Sequence, residues 1–152
     1  MFLTTIISIP IVGRINRKPL LFTSLLFCSL SMFCFGFYFH MRLDTSYSWI
    51  PILCLLVFIL SFSIGMGPLP WVLLGEFSVP HLAPLVATVS GLTNWCAAFF
   101  MTVVFSDMSR VLGLAGTFWF YGSCSAIGAL FSVFILPETR GRSFQEIKKI
   151  LQ

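Results

Sequence analysis

Long apolar runs separated by short polar stretches make up most of this chain. Four of them have the length of about 20 residues that a helix needs to cross a bilayer. They cover residues 19–41, 49–74, 85–106 and 114–136. A fifth run, residues 1–12, would reach only about 18 Å at about 1.5 Å per residue, whereas the hydrocarbon core is about 30 Å thick. The pattern predicts four membrane-spanning helices, preceded by the end of a helix whose beginning is missing.

The second run contains the elements of a broken helix. Residues 65–76 read Gly-Met-Gly-Pro-Leu-Pro-Trp-Val-Leu-Leu-Gly-Glu. A proline lacks an N–H and crowds the carbonyl four residues earlier, so the carbonyls of Ile64 and Met66 lose their helical partners. In hydrocarbon such a break is tolerated only where protein or a water-filled cavity supplies new partners. We therefore predict a hinge on a solute pathway, built from Gly65, Gly67, Pro68 and Pro70.

Composition and charge support this interpretation. The chain is 58% hydrophobic and only 9% charged, with a mean hydropathy of +0.99, whereas soluble domains are about 25% charged. If the spans alternate in direction, seven of the nine basic residues lie on one side, in residues 13–18 and 137–152. The positive-inside rule makes that side cytoplasmic. The net charge of +4 therefore reflects topology, and we expect no nucleic-acid partner.

The residue types that carry chemistry form no catalytic pattern. All five cysteines lie inside the predicted spans without metal-ligand spacing, and such residues act as small hydrophobes. They are Cys28, Cys34, Cys54, Cys96 and Cys124. No Ser-His-Asp set, zinc motif or phosphate-binding loop is recognisable. We expect no enzyme, no metal site and no cofactor.

Four short segments resemble the motifs of one transporter family, in the correct order. Residues 13–19, Gly-Arg-Ile-Asn-Arg-Lys-Pro, resemble its loop between the eighth and ninth helices. Residues 65–71 resemble the tenth-helix signature Gly-x-Gly-Pro-x-Pro-Trp, and residues 93–95, Thr-Asn-Trp, resemble the eleventh helix. Residues 137–143, Pro-Glu-Thr-Arg-Gly-Arg-Ser, resemble the tail after the twelfth helix. The chain is therefore similar to the sugar-porter branch of the major facilitator superfamily, and most closely to insect facilitated trehalose transporters.

The resemblance implies an all-α membrane protein that forms part of the C-terminal half of a twelve-helix major facilitator fold. Residues 1–12 would end the eighth helix, residues 13–18 would be a cytoplasmic loop, and residues 137–152 a cytoplasmic tail. The four long runs would be the ninth to twelfth helices. Such carriers bind sugar between two halves that rock about it, so the missing N-terminal half would be a required partner.

The function implied is transport of a hexose or trehalose by alternating access, as part of a longer carrier in the plasma membrane. The alternative is a truncated membrane protein without transport activity, which could associate with a full-length relative. The sequence leaves open whether the sugar is glucose or trehalose, and whether transport is coupled to protons.

Candidate sugar contacts lie at and after the broken helix. A pyranose presents C–H faces and neighbouring hydroxyls, so its site needs an aromatic face and amide or hydroxyl groups. Trp71 could cover the face and Asn94 could bond the hydroxyls, and we expect Ser63 and Gly67 to line the cavity. The alternative for Trp71 is an interfacial anchor, and for Asn94 an interhelical hydrogen bond.

The resemblance also implies a cytoplasmic gate. In the family, acids and arginines at the inner helix ends form a network that holds the outward-facing state. The matching residues here are Arg14, Arg17, Glu76, Glu138 and Arg140. Gly13 replaces the acid of the first loop, Asn16 replaces its glycine, and Ala83-Pro84 replaces an Arg-Gly pair. These departures predict a weakened gate.

Two rows of small residues predict close helix packing. In the third run they lie at three- and four-residue steps, and in the fourth run they have similar spacing. The first row is Ala87, Gly91, Asn94 and Ala98, and the second is Gly122, Ala126 and Ala129.

Overall fold

The computed structural model describes residues 16–41, 47, 49–79 and 81–134, and the long elements in these ranges are all helices. They are α1 (Arg17–Met41), α2 (Trp49–Ser61), α3 (Leu69–Phe77), α4 (Ala83–Val111) and α5 (Gly113–Phe134). A π-helical segment, Phe62–Met66, lies between α2 and α3.

Within the described ranges, four helical stretches are long and apolar enough to cross a membrane. They are Arg17–Met41, Trp49–Phe77, Ala83–Val111 and Gly113–Phe134. The prediction of an all-α membrane protein is confirmed. The second stretch extends beyond residue 74, where the sequence analysis ended it, and the third extends at both ends of the predicted 85–106. The proposed end of the eighth helix (1–12) and the tail (137–152) lie outside the described residues.

Helix α1 is the centre of the described bundle. It packs along α5 on one side and against α2 and the π-helical segment on the other. Its leucines join α3 and α5 in a buried cluster, whose members are Leu20, Leu21, Leu25, Leu69, Leu73 and Ala129. Helix α4 contacts α3 and α5 but has no buried residue. Among the described residues, α1 therefore makes most of the contacts between helices, and its most extensive interface is with α5.

A row of polar side chains connects α1 to α2. The donors Ser24, Cys28 and Ser31 follow the spacing of one helix face, and their acceptors are backbone carbonyls of residues 61, 58 and 54. Because the acceptor numbers fall as the donor numbers rise, the two helices are antiparallel. On the opposite side, Ser29 donates to the carbonyl of Gly122 in α5 at 2.8 Å.

Aromatic side chains fill the other part of the α1–α5 interface. Phe118 packs edge-on against Phe35 with ring centroids 4.6 Å apart, and it stacks on Phe39 at 5.7 Å. Gly36 of α1 allows the two helices to approach closely, because a Cβ at this position would lie 2.5 Å from the indole ring of Trp119 in α5.

The connection between α4 and α5 is a single tight turn. The amide of Leu112 donates to the carbonyl of Met108 at 2.8 Å, and Gly113 follows with φ of 71°. That left-handed conformation costs glycine little. The long α4 therefore reverses directly into α5.

Candidate functional site

The break in the second span is organised as a π-helical turn followed by a new helix. The amide of Gly67 donates to the carbonyl of Phe62 at 2.7 Å, which is the five-residue spacing of a π-helix. Helix α3 then begins at Leu69, with Pro70 in its first turn, where a missing N–H removes no helical hydrogen bond. The two prolines are thus accommodated by ending one helix and beginning another. All four predicted hinge residues lie in or beside this junction.

Ser24 of α1 supplies a partner to the backbone of the break. Its hydroxyl donates to the carbonyl of Ser61 at 2.6 Å and accepts from the amide of Met66 at 3.0 Å. The sequence analysis did not identify this residue. The available signal was the spacing of Ser24, Cys28 and Ser31, which places three small polar side chains on one helical face.

A cavity of about 400 Å³ opens beside the break, between the π-helical segment, α3 and α4. This volume lies in the range of small-molecule sites. Its lining residues are Phe62, Met66, Gly67, Pro70, Trp71, Leu74, Ser90 and Asn94. The structure therefore brings together three of the four residues that the sequence suggested as sugar contacts.

The four suggested contacts differ in their surroundings. Trp71 is 48% exposed and Asn94 is also exposed, so both have surface available to a ligand. Ser63 is buried, with 7% of its surface exposed, and lies outside the lining. Its contact with a sugar stays a prediction. Ser90 was missed, although it precedes Asn94 by four residues and so shares its helical face.

Most residues that line the cavity are apolar, and only a few carry polar groups. The indole of Trp71 provides a flat aromatic surface, Asn94 provides an amide donor and acceptor, and Ser90 provides a hydroxyl. Such a wall can cover the C–H face of a neutral polyol and bond some of its hydroxyls. All five cysteines are free. In the ranges that the structure describes, no three histidine, cysteine or acidic residues group as a metal site.

Arg17 and Glu76 form an ion pair between the start of α1 and the last turn of α3. The nearest oxygen of Glu76 lies 3.1 Å from Nη2 and 3.3 Å from Nε of Arg17. Their side chains are only 13% and 27% exposed. The other three suggested gate residues, Arg14, Glu138 and Arg140, lie outside the described residues. The pair places two of the five suggested residues in direct contact.

Sequence comparisons point to one family. The profile described as Sugar (and other) transporter matches residues 1–151. The facilitated trehalose transporter Tret1 of Apis mellifera ligustica is 35% identical over 151 residues, covering 97% of this chain and 30% of that protein. Tret1 of Drosophila mojavensis is 36% identical over 152 residues, covering 97% of this chain and 18% of that protein. The chain thus spans less than a third of the length of these curated relatives.

Solved structures give the same result for the fold. The xylose transporter XylE from E. coli, in an inward-open conformation, matches with a TM-score of 0.85 and 26% identity. The match covers 98% of this chain and 33% of that one. A major facilitator proton:xylose symporter XylE, bound to 6-bromo-6-deoxy-D-glucose, matches with a TM-score of 0.80 at 24% identity, covering 98% and 32%. The predicted partial major facilitator fold is confirmed, and this multi-pass membrane chain belongs to the sugar (and other) transporter family.

Proposed function

We propose that this chain forms part of a longer carrier that moves a hexose or trehalose across the membrane by alternating access. The observation that carries the proposal is the cavity in which Trp71, Ser90 and Asn94 meet beside the broken span. The names of the matched relatives support a sugar as cargo. Because the chain corresponds to less than a third of those proteins, the missing N-terminal half would supply the other wall of the pathway.

The proposed roles follow from the surroundings of each side chain. Trp71 covers a C–H face of the sugar, and Asn94 and Ser90 bond its hydroxyls. Gly67 exposes backbone at the cavity surface, which allows the sugar to approach closely. The bend at Pro68 is the place where α3 can change direction relative to α2. The proposed partners of the chain are a sugar, which binds in the cavity, and the lipid bilayer, which surrounds the helices. We propose no nucleic-acid partner.

The proposed location is the plasma membrane, with the C-terminus in the cytoplasm. The concentration of basic residues in 13–18 and 137–152 supports this orientation. Arg17, which contacts Glu76, belongs to the first of these segments. We assign this pair to the cytoplasmic gate, together with Arg14, Glu138 and Arg140.

The proposal is tested with a chimera in which this chain replaces the matching 151-residue region of the honeybee relative. In oocytes that display the chimera at the surface, we expect saturable uptake of radiolabelled trehalose or glucose. A C-terminal tag on the same molecules should stain only after permeabilisation. The matched control is the honeybee protein without that region, which should transport nothing. Surface display without uptake of either sugar would refute the proposal.

Glu76→Gln is expected to shift the chimera toward its inward-facing state. The substitution keeps the shape of the side chain but removes the charge that Arg17 contacts at 3.1 Å. Loss of a partly buried charged partner costs about 1 to 3 kcal/mol. If the gate keeps this bond only in the outward-facing state, the ratio of the two states changes by at most about five- to 150-fold. Labelling of single cysteines on the inner and outer faces measures that ratio. Asp107→Asn is the control, because its contact with Arg110 is exposed and 3.9 Å long. Equal labelling of parent and Glu76→Gln would contradict the assignment.

A further inference from the structure

We propose that Ser24 is a positioning residue that holds the π-helical turn of the second span in place. Its hydroxyl bonds the carbonyl of Ser61 at 2.6 Å and the amide of Met66 at 3.0 Å. These two backbone groups are five residues apart, which is the spacing of one π-helical turn. One side chain of α1 therefore contacts both ends of the turn.

The burial of Ser24 makes these bonds costly to lose. Only 5% of its surface is exposed, and it lies within the packed interface between α1 and the break. A backbone N–H or C=O in such a place has little access to water, so water cannot replace a side-chain partner that is lost. The hydroxyl is both donor and acceptor, which allows one residue to satisfy an amide and a carbonyl together.

The neighbouring glycine keeps Ser24 in reach of the turn. A Cβ on Gly65 would lie 2.3 Å from the Cβ of Ser24 and 3.1 Å from the carbonyl oxygen of Leu20. Only a residue without a side chain permits α1 to approach the π-helical segment this closely. Gly65 and Ser24 are therefore complementary parts of one contact.

Two other buried serines of α1 bond outside the turn. Ser31 donates to the carbonyl of Cys54 in α2, and Ser29 donates to the carbonyl of Gly122 in α5. Both are as buried as Ser24, with 6% and 3% of their surface exposed. They provide matched controls, since each carries the same hydroxyl on the same helix but bonds a carbonyl outside Phe62–Met66.

The turn forms part of the cavity wall. Phe62, Met66 and Gly67 line the cavity, and Trp71 follows in the next turn of helix. By fixing the turn, Ser24 sets where these residues lie. The consequence for sugar binding rests on the function proposed above, whereas the effect of Ser24 on the turn does not.

Hydrogen exchange of the full 152-residue chain in lipid nanodiscs tests the proposal without any sugar. Exchange of the Met66 amide requires that its hydrogen bonds break and that water reaches it from the cavity that Met66 lines. In Ser24→Ala we expect exchange of the peptide that covers residues 62–67 to be about three- to tenfold faster, as loss of one such hydrogen bond implies. Ser31→Ala and Ser29→Ala should exchange at the parent rate in that peptide.

Ser24→Cys provides the second variant. A thiol is a weaker donor and acceptor, as the 3.9 Å contact of Cys28 with the carbonyl of Phe58 illustrates. We expect an intermediate rate, and this variant carries the test if Ser24→Ala does not fold. Parent-like exchange in the Ser24 variants, or equal acceleration in Ser31→Ala, would overturn the proposal. Because the assay contains no sugar, such a failure is distinct from a failure of the uptake experiment.

Discussion

Gly65→Ala is expected to destabilise the chain by about 1 to 3 kcal/mol, the usual cost of overpacking a filled interface. The added Cβ would lie 2.3 Å from the Cβ of Ser24, and real Cβ atoms essentially never come within 3.0 Å of a heavy atom elsewhere in the chain. The obstructing atom belongs to the base of a side chain on a packed helix, so it cannot rotate away. Either α1 or the π-helical segment has to move.

Helix propensity works in the opposite direction, because alanine is favoured over glycine by about 1 kcal/mol in a helix interior. Gly75→Ala in α3 isolates that effect, since a Cβ there meets nothing within 4 Å. We expect Gly75→Ala to melt at or above the parent temperature and Gly65→Ala to melt below it, as measured by thermal unfolding in detergent. Equal melting of the two variants would show that the close approach to α1 is unimportant.

Gly65→Ala and Ser24→Ala should also be non-additive. Both act on the contact between Ser24 and the turn, and residues in direct contact typically couple. The double variant is expected to lose less stability than the two single losses combined. Gly65→Ala combined with Ser29→Ala should instead be close to additive, because Ser29 bonds α5.

The spans and the break could be predicted from the sequence because each depends on local chemistry. Uninterrupted apolar runs of sufficient length have few alternatives to a membrane helix. A Gly-x-Gly-Pro-x-Pro sequence cannot continue a regular helix, whatever surrounds it. What local chemistry did not determine was the form of the break, which is a π-helical turn followed by a new helix that ends at Phe77.

The role of Ser24 could not be predicted, because it depends on which helix lies against the break. Hydroxyls on membrane helices commonly bond their own helix, as Thr23 does with the carbonyls of Pro19 and Leu20. Ser24, the next residue along, faces the second span instead and bonds the backbone there. A single sequence gives the spacing of polar residues along α1 but not the partner of each one.

The two rows of small residues also show that the sequence does not give the neighbour of a helix face. Gly122 and Ala129 are buried on α5, where a Cβ on Gly122 would come within 3.4 Å of Met32 and Phe33. These two residues of the row pack as predicted, and Ala126 between them is partly buried. The other row, on α4, is not packed in the described part of the chain, and a Cβ on Gly91 would meet nothing within 4 Å. Small residues predict that a helix face can approach a neighbour, and the fold decides which neighbour is there.

The candidate site was partly predictable, because Trp71 and Asn94 lie on motifs, whereas Ser90 does not. Trp71 and Asn94 were selected by residue chemistry and by resemblance, and the structure places both on one cavity. Ser63 lies in the same span as Gly67 but is buried away from that cavity. A π-helical turn changes the direction in which successive side chains point. Regular α-helical spacing therefore could not predict on which side of the span Ser63 lies.

The final expected result concerns Trp71 and Asn94 in the chimera. Trp71→Ala removes the aromatic face beside the bend, and such contacts contribute about 0.5 to 1.5 kcal/mol beyond their buried area. That corresponds to about two- to twelvefold in affinity. We expect turnover to fall as well, because Trp71 lies in the first turns of α3, next to the bend. Trp71→Phe should keep most of the affinity, and Trp95→Ala, a 74% exposed tryptophan outside the lining, is the matched control.

Asn94→Ala removes only a hydrogen-bonding group. A sugar hydroxyl left unpaired costs about 1 to 3 kcal/mol, or about five- to 150-fold in affinity. Because Asn94 lies on the continuous helix α4 and not on the broken span, its loss should appear mainly as a raised KM with little change in turnover. Thr93→Ala is the control, since its hydroxyl already bonds the carbonyl of Val89 in its own helix at 2.9 Å.

Uptake kinetics on surface-normalised protein separate these two effects. A combined loss of affinity and turnover in Trp71→Ala, with a KM effect alone in Asn94→Ala, is the pattern expected if one residue lies on the moving helix and the other on a fixed wall. If both alanine variants keep the parental KM for every sugar that the chimera carries, neither residue binds sugar. Trp71 would then act as an interfacial anchor and Asn94 as a hydrogen bond between helices, the alternatives that their positions in membrane helices also allow.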